Sequence, residues 1–377
     1  MRRFILIAVV LVCSIKSMIA TDVTFSESGK AIVTWNNKDV VGLYTVSNNR
    51  IRTTVYGIDP SDKHKVTLTG NGWTLASGSQ YYGYYPYNTN YVLNGNLMTA
   101  LPVSYTNQTQ SANNDPAHLA AYDYMVAQTT TTETEANFTF THYGSIIRIA
   151  CYVPTSATFS SLSISSKAED AIFTTEANMN LTNQTITSTA TNKKATLTLS
   201  NITVEAGDSL IAYMMLPPTD LSGKSMMLSL NATDGSALQT YIAGVNTQAG
   251  KVYPVSVGKE NYFKVSTANN NANNSLEVLS LQTDFEENEV TVTQIPTATA
   301  YAPDFTPDNE NRMKPFLLGD VNLDGTVDVT DAVLIISHYQ ARTTEQLDFN
   351  VSDVNGDSVI DVTDAVGIIN IYQSRMQ

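Results

Sequence analysis

Between residues 22 and 258, apolar and polar positions alternate in short runs cut by Asn, Gly, Pro and Asp. In KVTLTG (65–70), Val66 and Leu68 share one parity while Thr67 and Thr69 take the other. ATLTLSNITV (195–204) repeats the alternation through Leu197 and Leu199. A period of two sends successive side chains to opposite faces, so these runs predict strands buried on one face with threonine turned to water. No helical period of comparable strength occurs here, which predicts antiparallel β-sandwiches. The pattern changes after Gly258. STANNNANNS (266–275) is too polar to order itself by burial and predicts a linker. The strand-like runs SLEVLSL and NEVTVTQI follow, then PTATAYAPDFTPDNENRMKP, and residues 259–315 as a whole are read as a spacer. From Phe316 the chain is different in kind, with acidic loops each followed by a helix.

A length of 377 residues predicts two or three domains. The formal net charge of -14 excludes nucleic acid as a partner, since a binder needs Lys and Arg to displace counterions, and it suits a cation such as calcium. The leading MRRFILIAVVLVCSIKSMIA has a basic start at Arg2 and Arg3, an apolar run from 4 to 15 and a small residue at Ala20. These features predict a secretory signal over residues 1–20, too short for a stable membrane anchor, and a mature chain with no transmembrane segment. Cys13 raises lipid anchoring at the outer membrane as a lesser route, because Val12 precedes it where a small residue is wanted. Without the leader only Cys151 remains, so no intrachain disulfide can form. Cys151 shares parity with Ile147, Ile149 and Val153, which predicts a buried thiol.

Residues 316–377 carry ten acidic and two basic side chains, a local balance of -8. Within them DVNLDGTVDVTDAVLIISHYQAR, from Asp320, aligns with DVNGDSVIDVTDAVGIINIYQSR, from Asp353. Two in-register copies that extend through the following helix mark a duplicated unit. Asp, Asn and Asp at loop positions 1, 3 and 5, with Asp at 9 and 12, set hard oxygens at the spacing that wraps one Ca²⁺. The predicted ligands are Asp320, Asn322, Asp324, Asp328, Asp331 and the carbonyl of Thr326. In the second loop they are Asp353, Asn355, Asp357, Asp361, Asp364 and the carbonyl of Val359. Two Ca²⁺ would offset half of the local charge and help to fold a segment with little core. Gly325 at position 6 of the first loop is replaced by Ser358 in the second. That position needs φ > 0, which costs a non-glycine residue on the order of 1 kcal/mol, and the second site is expected to bind roughly fivefold more weakly.

The pair resembles the type I dockerin family over nearly all of 316–376, in GDVNLDG, in Asp at position 12 and in the single helix after each loop. The resemblance implies a small α-helical, two-calcium module of three helices that binds a cohesin domain on another protein. Carried over by position, the contacts are Val329, Thr330, Ile336 and Ser337, with Val362, Thr363, Ile369 and Asn370 in the second copy. A second resemblance rests on an ordered series: Trp35 and DVVGLY (39–44), YYGYYPY, AAYDYMVAQ (120–128), NFTFTHYGSIIRI (137–149), MMLPPTDL (214–221) and AGKVYPVSV. It looks like the fimbrillin family of Gram-negative gut and oral anaerobes. That implies a mainly β chain with two transthyretin-like β-sandwich subdomains, 21–155 and 156–258, ahead of the spacer 259–315 and the dockerin 316–377. Members are pilus subunits, tip proteins or anchors at the cell surface, and they polymerise by exchange of a terminal strand.

The tyrosines of QYYGYYPYNTNY could stack on sugar rings if exposed, or pack at a strand edge if buried. Of the four histidines, His64, His118, His142 and His338, His142 lies in a strand-like run that predicts packing, not catalysis. No GxSxG, HExxH or phosphate-cradling loop occurs, while a carboxylate pair for glycoside hydrolysis leaves no spacing signature. The chain is thus expected to be an exported, non-catalytic adhesin or accessory module at the cell surface or outside the cell, attached to a cohesin-bearing partner. A glycan or other cell-surface ligand stands as a further partner class. The alternatives are a carbohydrate-binding or polysaccharide-degrading component of a cellulosome-like complex, and a fimbrial subunit.

Overall fold

The computed structural model describes residues 21–45, 50–59, 61–69, 75–88, 100–168, 170–188, 191–261, 264–267, 297–342, 347–355, 357 and 359–375. The leader, most of the polar linker, Tyr91 and Ser358 lie outside them. The described chain is mainly β, with helices at its C-terminal end. Alternation is met as expected: Val66 and Leu68 are buried beside exposed Lys65 and Thr67. In 195–204 the buried parity jumps from Leu199 to Ile202. A β-bulge absorbs the jump, with Asn201 at φ 54° and a register shift between Phe159 and Ser161 on the facing strand.

The first core is built on an eight-stranded sheet ordered Glu135–Thr139, Thr297–Tyr301, Asp62–Thr69, Arg50–Asp59, Val40–Thr45, Gln80–Tyr85, Met125–Thr130, Thr141–His142. Val23 and Val33 from one smaller sheet, and Leu101, Val103 and Met179 from another, pack into the same core. DVVGLY and YYGYYPY are neighbouring antiparallel strands, with Gly42 opposite Tyr84 and Leu43 opposite Gly83. A Cβ on Gly42 would fall 1.8 Å from the Tyr84 ring, so glycine in one motif makes room for tyrosine in the other. Tyr81, Tyr82, Tyr84 and Tyr85 are all buried, which removes them from any sugar-stacking surface.

The second core lies between a four-stranded sheet (Ser209–Leu216, Ser145–Tyr152, Lys251–Val257, Thr306–Pro307) and a six-stranded one (Lys264–Thr267, Ser236–Ala243, Ser225–Ala232, Ala157–Ser166, Lys194–Val204, Thr109–Gln110). Ile147, Ile149 and the free thiol of Cys151 are buried in it.

Two boundaries expected from sequence are corrected here. The division at residue 155 is not a clean cut: Thr109–Gln110 joins the second unit's sheet, and Glu176–Asn180 returns to pair with Leu101–Ser104 in the first. The stretch from 297 to 315 is not spacer. Thr297–Tyr301 is an interior strand, parallel to Glu135–Thr139 on one side and antiparallel to Asp62–Thr69 on the other. Its Ala298 and Ala300 are buried, followed by Ala302 and Phe305. Alanine is small enough to fill a slot between formed strands, and for that reason the run carries little hydrophobic signal. Thr306–Pro307 then pairs beside Lys251–Val257, and Lys314 and Pro315 beside Ser236–Ala243.

Three helices close the chain: α1 (Val329–Tyr339), α2 (Phe349–Ser352) and α3 (Val362–Arg375). Ala332 and Ile335 of α1 meet Ala365 and Ile368 of α3, with Val321 and Val327 from the loop before α1. The unit is seated on the second sandwich. Phe316 and Val351 share a buried cluster with Tyr241, the Phe316 N–H donates to the Tyr241 carbonyl at 2.8 Å, and Lys167 pairs with Asp348.

Candidate calcium centre and docking face

The first loop is organised by carboxylates turned onto its own backbone. Asp320 accepts from the N–H groups of Asp324 (3.0 Å) and Gly325 (2.8 Å), and Asn322 Oδ1 also accepts from Asp324 N–H at 3.0 Å. Asp331 accepts from Val321 (2.7 Å) and Asn322 (3.0 Å) on one oxygen and from Asp328 (2.8 Å) on the other. Asp328 caps α1 by accepting from Thr330 N–H at 2.7 Å, and a capping box joins it to Asp331, each side chain accepting from the other's backbone N–H. Gly325 takes φ 87°, the left-handed turn that position 6 requires.

The second loop repeats the pattern. Asp364 accepts from Val354 (2.7 Å), Asn355 (3.2 Å) and Asp361 (2.9 Å), and Asp353 accepts from Asp357 N–H at 3.1 Å. Asp357 accepts from Val359 N–H at 2.9 Å and Asp361 caps α3 through Thr363 N–H at 2.7 Å. Ser358 cannot be compared, since it lies outside the described residues.

Electrostatics show what the loops need. Asp320, Asp331 and Asp364 are fully buried. Burial pushes the Asp320 carboxyl up to about 6, helped by the neighbouring charges of Asp331 and Asp324. Asp331 is raised for the same first cause, whereas the Thr326 hydroxyl holds exposed Asp324 down. No cationic side chain forms an ion pair with Asp320 or Asp331 among the described residues. No three acidic, His or Cys side chains among them converge on one point either. The oxygens are hard, carried at alternating positions of one short loop and shared with backbone N–H groups, a donor set that fits Ca²⁺ and leaves rearrangement of those hydrogen bonds to the ion. A bound ion would neutralise the buried carboxylates. Asp320, Asn322, Asp324, Asp328, Asp331 and the Thr326 carbonyl would hold one, and the matching residues of the second loop the other.

The predicted partner residues lie on the helices that these loops start. Val329, Thr330 and Ile336 are exposed on α1, with Ser337 half-buried; Val362, Thr363 and Asn370 are exposed on α3. Ile369 departs from the expectation: it is half-buried against the helical core and offers only part of its side chain. Sequence comparison of the copies missed Val333 and Val366, which are 52% and 57% exposed and sit one turn beyond Val329 and Val362. The i, i+4 spacing of those valines, on the side of each helix away from Ile335 and Ile368, was the available signal.

The family model described as fimbrillin-like matches residues 26–278. The chain belongs to the fimbrillin-like family. A dockerin type I domain follows the fimbrillin-like module, matched over residues 318–371. No curated protein matches the chain. Among solved structures, a cell-adhesion candidate from Bacteroides ovatus is 16% identical, with a TM-score of 0.43 over 64% of this chain and 90% of that one. One from Bacteroides fragilis is 13% identical, with a TM-score of 0.35 over 68% and 93%. A fimbrial protein from Bacteroides vulgatus is 12% identical, with a TM-score of 0.29 over 62% and 91%. Likeness at that level is too slight to carry fold or function across. The module and its dockerin place the fimbrillin-like protein at a surface or outside the cell, and no helix among the described residues is long and apolar enough to cross a membrane.

Proposed function

We propose that this is an exported, non-catalytic adhesin or accessory module that a calcium-loaded dockerin attaches to a cohesin-bearing partner, with residues 1–20 removed as a secretory leader. The observation that carries the proposal is the exposed Val329–Thr330 and Val362–Thr363 pairs, each with a second bare valine one turn on, at the starts of helices whose loops bury carboxylates that pair with no cationic side chain among the described residues. Exposed apolar side chains beside polar ones at a rigid helix start are the composition of a protein-binding patch. Two loops with matching hydrogen bonds support two Ca²⁺.

Thr297–Tyr301 occupies an interior place in the eight-stranded sheet from within the same chain, which favours an accessory role over a subunit that takes a neighbour's strand. Attachment is tested by capture from an extract of the native organism on the full-length protein, with calcium and with chelator. A cohesin protein retained in calcium and lost in chelator is expected; retention of no partner in calcium would sink the docking role. Glycan arrays and polysaccharide hydrolysis assays on the same protein are expected to be blank, and a positive in either would turn the proposal toward the carbohydrate-active alternative.

A further inference from the structure

The start of the described chain is buried in a polar network that docking leaves unused. Thr21 is 1% exposed, and its backbone nitrogen donates to the Tyr85 hydroxyl at 2.7 Å. That hydroxyl donates in turn to Asp39 Oδ1 at 2.8 Å, and the other Asp39 oxygen accepts from Asn36 N–H at 2.7 Å. Asp39 and Tyr85 are both fully buried. Oγ1 of Thr21 is also buried, without a hydrogen-bond partner among the described residues. A carboxylate out of water calls for a cation. None of the ion pairs among the described residues includes Asp39. Its surroundings make matters worse: burial pushes the carboxyl up to about 6, and the nearby charge of Asp22 adds to the rise while Tyr85 and Asn36 pull against it.

Thr21 directly follows Ala20, the small residue at the end of the predicted leader. We infer that this buried network is a seat for the processed N-terminus, in which the α-ammonium of Thr21 supplies the cation that Asp39 lacks. The inference rests on the leader proposed above. Cleavage by a leader-removing peptidase of the export machinery adds one water across the Ala20–Thr21 amide. The C–N bond breaks, the water oxygen stays on Ala20 as carboxylate, and both water hydrogens end on the Thr21 nitrogen, which becomes –NH₃⁺. One N–H keeps the bond to Tyr85, and a single hydroxyl oxygen stands between the new charge and Asp39.

The chemistry also gives the seat a pH signature. With a neutral nitrogen, a carboxyl whose folded pKa is raised binds its proton more tightly in the folded state, so stability falls as pH climbs through about 6. An ammonium at hydrogen-bonding reach of Tyr85 lowers the Asp39 pKa and removes that fall.

The test compares the exported protein beginning at Thr21, the same protein Nα-acetylated, and Asp39→Asn in both forms. The first measurement is intact mass. Thermal unfolding from pH 4 to 8 and NMR titration of the Asp39 carboxyl follow. The expected results are a mass that begins at Thr21, an Asp39 pKa lower by at least about one unit with the free amine, and a melting temperature that acetylation lowers in the parent but not in Asp39→Asn. A mass that begins elsewhere, at a lipidated Cys13 for instance, overturns the leader assignment and the seat with it. A mass that begins at Thr21 with equal effects of acetylation in both backgrounds overturns the seat alone. Should Asp39→Asn fail to fold, the acetylated parent and its titration still decide.

Discussion

At the residue scale, two side chains show how the first sandwich spends its interior. Gly42 leaves the space that the Tyr84 ring fills, so Gly42→Ala must displace a buried ring. Overpacking of this kind costs about 1–3 kcal/mol, and urea unfolding should show a lower midpoint with an unchanged slope. His142 is the second. Nδ1 lies 2.6 Å from Asp123 Oδ1 and Nε2 2.7 Å from the Pro303 carbonyl, and the ring stacks on Phe305. Both nitrogens face acceptors, so the ring carries both protons. Burial, the largest influence, pulls its pKa down, but Asp123, the Pro303 carbonyl and Asp304 together leave it above 6.5. A raised folded pKa adds stability that is complete below the unfolded value and is lost as pH rises through the folded one. The unfolding free-energy gap between the parent and His142→Gln should therefore be widest below about pH 6.5 and narrow at alkaline pH. A gap that stays constant with pH would count against the imidazolium.

At the element scale, the loop–helix repeats were legible because a calcium loop compresses its chemistry into twelve consecutive positions. The strand Thr297–Tyr301 was not, because its partners come from residues 135–139 and 62–69 and its own side chains are small. His142 bonds the Pro303 carbonyl just past this strand, and the Asp304 carboxylate accepts from Val33 N–H at 3.1 Å and pairs with Lys30 at 2.5 Å. Ala300→Leu should cost about 1–3 kcal/mol or lift the strand. Amide exchange would show this as faster exchange in both flanking strands; exchange confined to 297–301 would mean that the strand is not interior. The burial of Ile369 has a similar cause. Two copies with matching sequence meet different surroundings, and only packing tells which side of each helix is covered.

At the scale of the whole molecule, the dockerin is seated and not strung on a tether. Residues 314–316 continue along the strand Ser236–Ala243 where Lys264–Thr267 leaves off, and Phe316 enters a buried cluster with Tyr241 and Val351. Its own core is six fully buried small or medium apolar side chains with partly buried Leu, Ile and Val around them, a small core to set against buried like charges without help. Chelation should abolish the helical far-UV signal while the near-UV signal of Trp35 and of the tyrosines buried with it in the first sandwich stays, since those rings lie away from the dockerin. Loss of both in one transition would show that calcium holds the entire chain together.

The sequence alone determined the features carried by neighbouring positions: strands with threonine outward, the duplicated acidic loops, and the ordered motifs of the fimbrillin-like module. Local spacing encodes these directly. Only the tertiary structure decided which strand fills the interior of the first sheet, that chain from both sides of residue 155 is shared between the two sandwiches, and that Thr21 lies buried one hydroxyl away from Asp39. Each of those depends on a partner far away in the chain, and alternation records which face a residue turns to without recording what meets it there.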